Sequence, residues 1–163
     1  MPTRPRTFAL CAVLAAVLGV IGLAAALAPS APPVSRAAEE VSYDGAWAAL
    51  RIGDFAHAAA GFARVALLAP DSPLVEDASF WRAVALARGK RSAEAVAAFH
   101  DFLDGYPRSP RAGQASAMLG WLLIDARALD EAARRFAAAA GDPDPAVRTS
   151  SRAGLDALAP RKR

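Results

Sequence analysis

Cysteine is almost absent from this chain of 163 residues, because Cys11 is the only one. An intramolecular disulfide is therefore impossible, and cysteine pairing gives no information about the redox compartment. Aromatic residues are also few, at 7% of the chain, whereas alanine and leucine are abundant. This composition favours helices over strands.

The sequence also lacks the residue patterns of common catalytic and metal-binding sites. It contains no Gly-rich phosphate loop and no nucleophile elbow. Neither His57 nor His100 has a Cys or His partner at metal-ligand spacing. Asp101 and Asp104 lie beside His100, and the three side chains together fit a solvated helix face. We therefore predict a non-enzymatic protein that uses no cofactor and no metal.

The central part of the chain carries a slight excess of negative charge. The formal net charge is +3, but six basic residues lie outside residues 38–160, whereas all 16 acidic residues lie within them. The central part is therefore mildly acidic, and a phosphate-binding surface is not expected there. The basic residues 161–163 fit a solvated tail. We predict no nucleic-acid partner.

The N-terminal part contains one long apolar run. Residues 8–28 include no charged side chain and follow two arginines, Arg4 and Arg6. As a helix they would rise about 31 Å, close to the thickness of the hydrocarbon core of a bilayer. Two interpretations stay open: a retained membrane anchor, or a signal peptide cleaved near the small residues at 35–37.

Either interpretation has the same consequence for location. Arginines that precede such a segment stay in the cytoplasm. The later residues are thus expected outside it, on an inner-membrane anchor or released into the periplasm. Residues 29–38 hold three prolines and are predicted to be a stiff linker between the membrane and a domain at 39–160.

A three-fold repeat follows the linker. The stretches "AAAGFARVALLAP" (58–70), "AVAAFHDFLDGYP" (95–107) and "AARRFAAAAGDPD" (132–144) recur at a spacing of 37 residues. Each begins with alanine and reaches phenylalanine one helical turn later, on the same helix face. A fixed period of this length predicts an array of stacked helical units. The predicted repeat core is Ala58, Phe62, Ala95, Phe99, Ala132 and Phe136.

Start and stop signals divide the repeats into helices. Ser72-Pro73, Ser109-Pro110 and Asp144-Pro145 each place a capping residue before a proline, a preferred helix opening. Glycines 53, 89, 105 and 141 are predicted to end helices in the left-handed conformation. The predicted helices are 42–52, 55–69, 73–88, 92–104, 110–127, 129–140 and 145–158. The predicted fold is all-α, with about three helix pairs and a C-terminal capping helix.

These repeats resemble the tetratricopeptide repeat. The similar stretches are 49–70, 80–107 and 117–143, and Leu119-Gly120 stands at the family's Leu-Gly position. Lys90 and Ser92 depart from the glycine and the aromatic residue expected there. The period exceeds the usual 34 residues by about one helical turn, which resembles the periplasmic branch of the family. That branch includes outer-membrane assembly lipoproteins of the BamD type and Tol-Pal coordinators of the YbgF/CpoB type.

The resemblance implies a concave groove lined by the first helix of each pair. An aromatic groove edged by Arg51 and Arg88 would suit a peptide with an apolar side and an acidic group. Trp81 is expected to pack between helices instead, and for Trp47 and Trp121 both positions stay open. The groove residues that the resemblance implies are Tyr43, Trp47, Arg51, Asp77, Phe80, Val84, Arg88, Gln114, Trp121, Ile124 and Asp125.

Two functions of different kinds remain open at this point. The first is a membrane-tethered or periplasmic scaffold that binds a protein or peptide partner of the cell envelope, in outer-membrane assembly or a Tol-Pal-like process. The second is a structural subunit of an envelope complex without a dedicated groove ligand. A peptidoglycan-associated role is a weaker third possibility.

Overall fold

The computed structural model of the protein describes residues 33–159, with side chains from Arg36 onward. These residues form seven α-helices and no strand. The predicted anchor or signal peptide at 8–28 and the basic tail at 161–163 lie outside the described residues. The helices are α1 Pro33–Ile52, α2 Phe55–Leu68, α3 Leu74–Arg88, α4 Ser92–Gly105, α5 Ala112–Asp125, α6 Leu129–Ala139 and α7 Pro145–Leu158.

The helices pack as three consecutive pairs followed by a single helix. Helices α1 and α2, α3 and α4, and α5 and α6 contact each other, and each pair also contacts the next. Helix α7 packs against both α5 and α6. For the described residues, the predicted all-α array of three pairs and a C-terminal helix is confirmed. None of these helices is both long and apolar enough to cross a bilayer.

The repeated alanines and phenylalanines lie in the core. All six repeat-core residues are buried, with at most 1% of their surface exposed. Small residues beside them let the helices approach closely. A Cβ atom added to Gly61 would lie 2.8 Å from the Cβ of Ala46. A Cβ atom added to Gly120 or to Gly154 would likewise lie too close to the ring of Phe136. These two glycines approach that ring from two different helices.

The turn inside each pair uses one backbone conformation at the same repeat position. Gly53, Lys90 and Arg127 have φ angles of 82°, 58° and 63° and are spaced by the repeat period of 37 residues. Side chains in this left-handed region cost on the order of 1–3 kcal/mol, so the turn geometry outweighs the preference for glycine.

Three of the four glycines predicted to be left-handed do not adopt that conformation. The φ of Gly89 is −76°, and the left-handed residue is its neighbour Lys90. Gly105 is the last residue of α4, and Gly141 is not among the residues of positive φ. Glycine spacing alone therefore located the end of each helix to within a few residues but not the residue that makes the turn.

The helix starts also differ from the prediction in part. Helix α1 begins at Pro33, nine residues before the predicted start at 42, because proline is compatible with the first helical position. Ser72 and Ser109 accept hydrogen bonds in short turns ahead of α3 and α5. Asp144 caps α7 as predicted, and its side chain accepts from the backbone N–H of Ala146 at 2.8 Å.

Candidate functional site

A chain of polar contacts links the three first helices α1, α3 and α5. The hydroxyl of Tyr43 donates a hydrogen bond to Oδ2 of Asp77, and Nη2 of Arg111, just before α5, donates to Oδ1 of the same carboxylate. Both contacts join residues 34 positions apart. The repeat period is 37, so neighbouring first helices are staggered by about one turn. We call this surface, with Trp47 and Trp81, the first-helix face.

Aromatic rings continue the first-helix face beside these polar contacts. The ring centroids of Trp47 and Trp81, again 34 residues apart, lie 4.6 Å from each other at an interplanar angle of 60°. Trp81 also packs edge-on against Phe80 at 5.3 Å. Its Nε1–H is buried and has no hydrogen-bond acceptor among residues 36–159. The expected packing of Trp81 between helices thus agrees with its position, and Trp47 shares that cluster.

Arg111 is the residue of this face that sequence reasoning missed. Its guanidinium lies 5.1 Å from the ring centroid of Phe80 and 5.4 Å from that of Trp81, while it pairs with Asp77. Cation–π contacts of this kind add about 0.5–2 kcal/mol, depending on how far they are shielded from water. Alignment at 37 residues does not pair Arg111 with Asp77. A search at 34 residues would have found the opposite charges.

Two predicted groove residues are wrong. Phe80 is fully buried and Val84 is almost so, and neither side chain lies on the surface. The physical reason is the central position of α3, which is covered by α2 and α4 as well as by Arg111 from the third copy. Phe80 instead packs against Phe99 and Phe102, with centroid distances of 6.3 and 5.5 Å.

The other predicted groove residues retain some exposure to solvent. Arg88 lies over the ring of Phe55 at 4.8 Å. Trp121 is 38% exposed, and its Nε1 donates to Oγ of Ser150 in α7 at 3.0 Å. The partly buried members are Tyr43, Trp47, Asp77 and Ile124, and the exposed ones are Arg51, Arg88, Gln114, Trp121 and Asp125.

Burial, and after it the hydrogen bond to Asp77, raises the pKa of Tyr43 above its usual value near 10. A raised pKa in the folded state means that the contribution of Tyr43 to stability is fully present below the unfolded-state pKa. It is lost as the pH rises through the folded-state pKa. The contact that joins α1 to α3 is therefore expected to weaken in alkaline solution, as Tyr43 ionises.

We expect Asp77→Ala to lower the pKa of Tyr43 part of the way toward its usual value, because burial remains after the carboxylate is removed. Absorbance at 295 nm against pH follows the ionisation, and Tyr43→Phe assigns it, since the chain has only two tyrosines. Asp104→Ala, which removes an exposed carboxylate of α4, is the matched control. An unchanged ionisation of Tyr43 in Asp77→Ala would contradict the assigned hydrogen bond.

The second helices are joined by a separate polar group. His100 in α4 contacts Glu131 in α6, with 3.2 Å between Nε2 and Oε1, and its Nδ1 lies 3.0 Å from Nη2 of Arg135. His100 is half-buried, which corrects its predicted place on a solvated face, whereas Asp101 and Asp104 are exposed. Among residues 36–159, no three His, Cys, Asp or Glu side chains are arranged to hold a metal ion.

Paired helices stacked through small and aromatic residues define the class of this protein as a helical repeat array. Residues 77–109 match the family model described as "Tetratricopeptide repeat", and this match covers nearly all of α3 and α4. The middle helix pair is therefore similar to a tetratricopeptide repeat, and the helices on either side of it repeat the same paired arrangement. A comparison with curated proteins found no match. Repeats of this family are typical of non-enzymatic scaffolds that bind other proteins.

Proposed function

We propose that this protein is a scaffold of the cell envelope whose first-helix face binds a peptide segment of a protein partner. The tetratricopeptide match supports protein binding as the general function. The envelope location is supported by the apolar residues 8–28 and the two arginines before them. A role in outer-membrane assembly or in a Tol-Pal-like process is part of the same proposal and is supported by the repeat period of 37 residues.

The chain of contacts Tyr43–Asp77–Arg111 is the observation that carries the proposal. It holds the three first helices in one arrangement before any ligand binds. A surface ordered in advance loses less conformational freedom on association, which favours binding. The same side chains stabilise the array, but partly exposed aromatic rings beside them also provide the kind of anchor that interfaces use.

The exposed part of the face indicates the chemistry of the ligand. Trp121 and Ile124 offer apolar surface in the third copy, and Arg51 offers a positive charge in the first. A segment with apolar side chains toward α5 and an acidic group toward α1 would satisfy both. Gln114 can supply hydrogen bonds to its backbone.

The experiment is capture of the partner in intact cells with a membrane-impermeant crosslinker. We expect Trp121→Ala to reduce the captured partner at least tenfold, because removing a central aromatic anchor commonly costs 2 kcal/mol or more. Leu129→Ala, which removes another exposed large side chain on α6, is the matched control and should capture normally. Leu129→Ala should unfold at nearly the same temperature as the parent. Trp121→Ala also loses its hydrogen bond to Ser150, so capture is compared at a temperature at which both variants are folded.

Two outcomes would contradict different parts of this proposal. Equal capture by the parent and by a Trp47→Ala, Trp121→Ala double variant would overturn binding at the first-helix face. Capture that requires cell lysis before the crosslinker is added would overturn the envelope location. The second candidate function, a structural subunit without a groove ligand, is favoured by Leu67, which is 82% exposed on α2 and away from this face. If Leu67→Glu lost the captured complex while the variants of the first-helix face kept it, this second function would be supported.

A further inference from the structure

The outward side of α1 is apolar and uncovered among the described residues. Val41 is 73% exposed and Ile52 is 82% exposed. Val41, Ile52 and several small residues are spaced three or four positions apart along α1, so that all of them lie on one side of the helix. We call this surface the α1 edge; it consists of Ala37, Val41, Gly45, Ala48 and Ile52.

Comparison with the later copies shows what this surface lacks. The residues that correspond to Val41 at the 37-residue period are Ala78 in α3 and Ala115 in α5, and both are fully buried. Ala48 is exposed, whereas its counterpart Ala85 is fully buried. In α3 this side is covered by the pair that precedes it. The α1 edge is thus a stacking surface without its neighbour among residues 36–159.

A preceding helix in the same repeat register does not fit this edge. The non-helical connection before α3, residues 69–73, corresponds to residues 32–36, and of these residues 33–36 already belong to α1. A helix that covered α1 as α2 covers α3 would need its connecting turn at those positions. The continuous helix excludes that turn at these positions.

The charges beside the edge point to a second copy of this chain. Glu40 and Arg51 both flank it on the side of the first-helix face, and no ion pair within residues 36–159 holds either of them. They are separated by 11 residues, or about three turns. An antiparallel partner α1 would place Glu40 opposite the partner's Arg51 and Arg51 opposite the partner's Glu40. A parallel partner would place like charges at the same level.

We propose that two copies of the protein associate through antiparallel packing of their α1 edges about a two-fold axis. The axis that pairs Glu40 with the partner's Arg51 passes beside Gly45. A Cβ added to Gly45 would meet no atom within 4 Å, so the backbone is open for a close approach there. Val41, Ala48 and Ile52 contribute the apolar contact on either side of it. Such a self-complementary contact closes at two copies, as in most homo-oligomers.

The first test is disulfide trapping of the full-length chain in mild detergent, with Cys11→Ser as the background. Gly45→Cys places a thiol near the proposed axis and should give a disulfide-linked dimer under mild oxidation. Thr149→Cys, on the exposed side of α7, is the matched control and should stay monomeric. Trapping at Gly45 no faster than at Thr149 would overturn the antiparallel packing.

The second test leaves the edge free of cysteine and measures the dimer dissociation constant by sedimentation. Glu40→Arg and Arg51→Glu should each raise it roughly tenfold, and the double variant should restore it. Val41→Glu should raise it further, whereas Leu67→Glu on the outer side of α2 should not. A monomeric parent chain, or equal effects of Val41→Glu and Leu67→Glu, would overturn the proposal. Neither measurement uses the partner of the first-helix face, so the proposed function is tested separately.

Discussion

Phe99→Ala is expected to lower the free energy of unfolding by about 3–5 kcal/mol in urea melts. Phe99 belongs to the middle copy and is fully buried, with the ring of Phe80 at 6.3 Å. The second and first helices of the middle pair meet at this contact, so the cavity left by alanine cannot be filled by one neighbour moving inward.

Two substitutions beside Phe99 separate its effect from that of the helix. Asp101→Ala changes an exposed residue of the same helix and should stay within about 0.5 kcal/mol. From the sequence alone His100→Ala has the same expected effect. The structure predicts a larger loss of unfolding free energy for His100→Ala, because the half-buried ring contacts Glu131 and Arg135 of the next pair. Equal losses from Phe99→Ala and Asp101→Ala would show that the assigned helix face is wrong.

Gly154→Ala is expected to lower the free energy of unfolding by about 1–3 kcal/mol, although alanine is the better helix former. The added Cβ would lie 2.3 Å from Cζ of Phe136. The ring cannot withdraw, because Gly120 of α5 packs against it with a Cβ position only 2.6 Å from Cε1. Thermal melts of the full-length chain measure the loss, which should be accompanied by weaker docking of α7.

The matched control is Gly105→Ala, another glycine within a helix. A Cβ at Gly105 meets no atom within 4 Å, so this change should be neutral or stabilising by up to about 1 kcal/mol. Phe136→Leu combined with Gly154→Ala should recover part of the loss, since a smaller side chain leaves room for the Cβ. Equal effects at Gly154 and Gly105 would contradict the close approach of α7 to Phe136.

The candidate site was only partly predictable, and the reason lies in the stagger between helices. Alignment at the repeat period compares Asp77 with Gln114, which is its equivalent, and not with Arg111, which is its contact. Phe80 and Val84 stand at groove positions in that alignment, yet both are buried, because α3 lies between α2 and α4 and Arg111 covers Phe80. A residue's place in the repeat is a property of sequence, whereas its exposure depends on its neighbours.

The sequence by itself determined the repeat, the helix content and the core. Alanine and phenylalanine one turn apart define a buried face wherever they occur, because that spacing is set within one helix. Only the tertiary structure decided the left-handed turns at Lys90 and Arg127 and the link from Tyr43 through Asp77 to Arg111. Each depends on how one helix is placed against another, and no local pattern of residues encodes that placement.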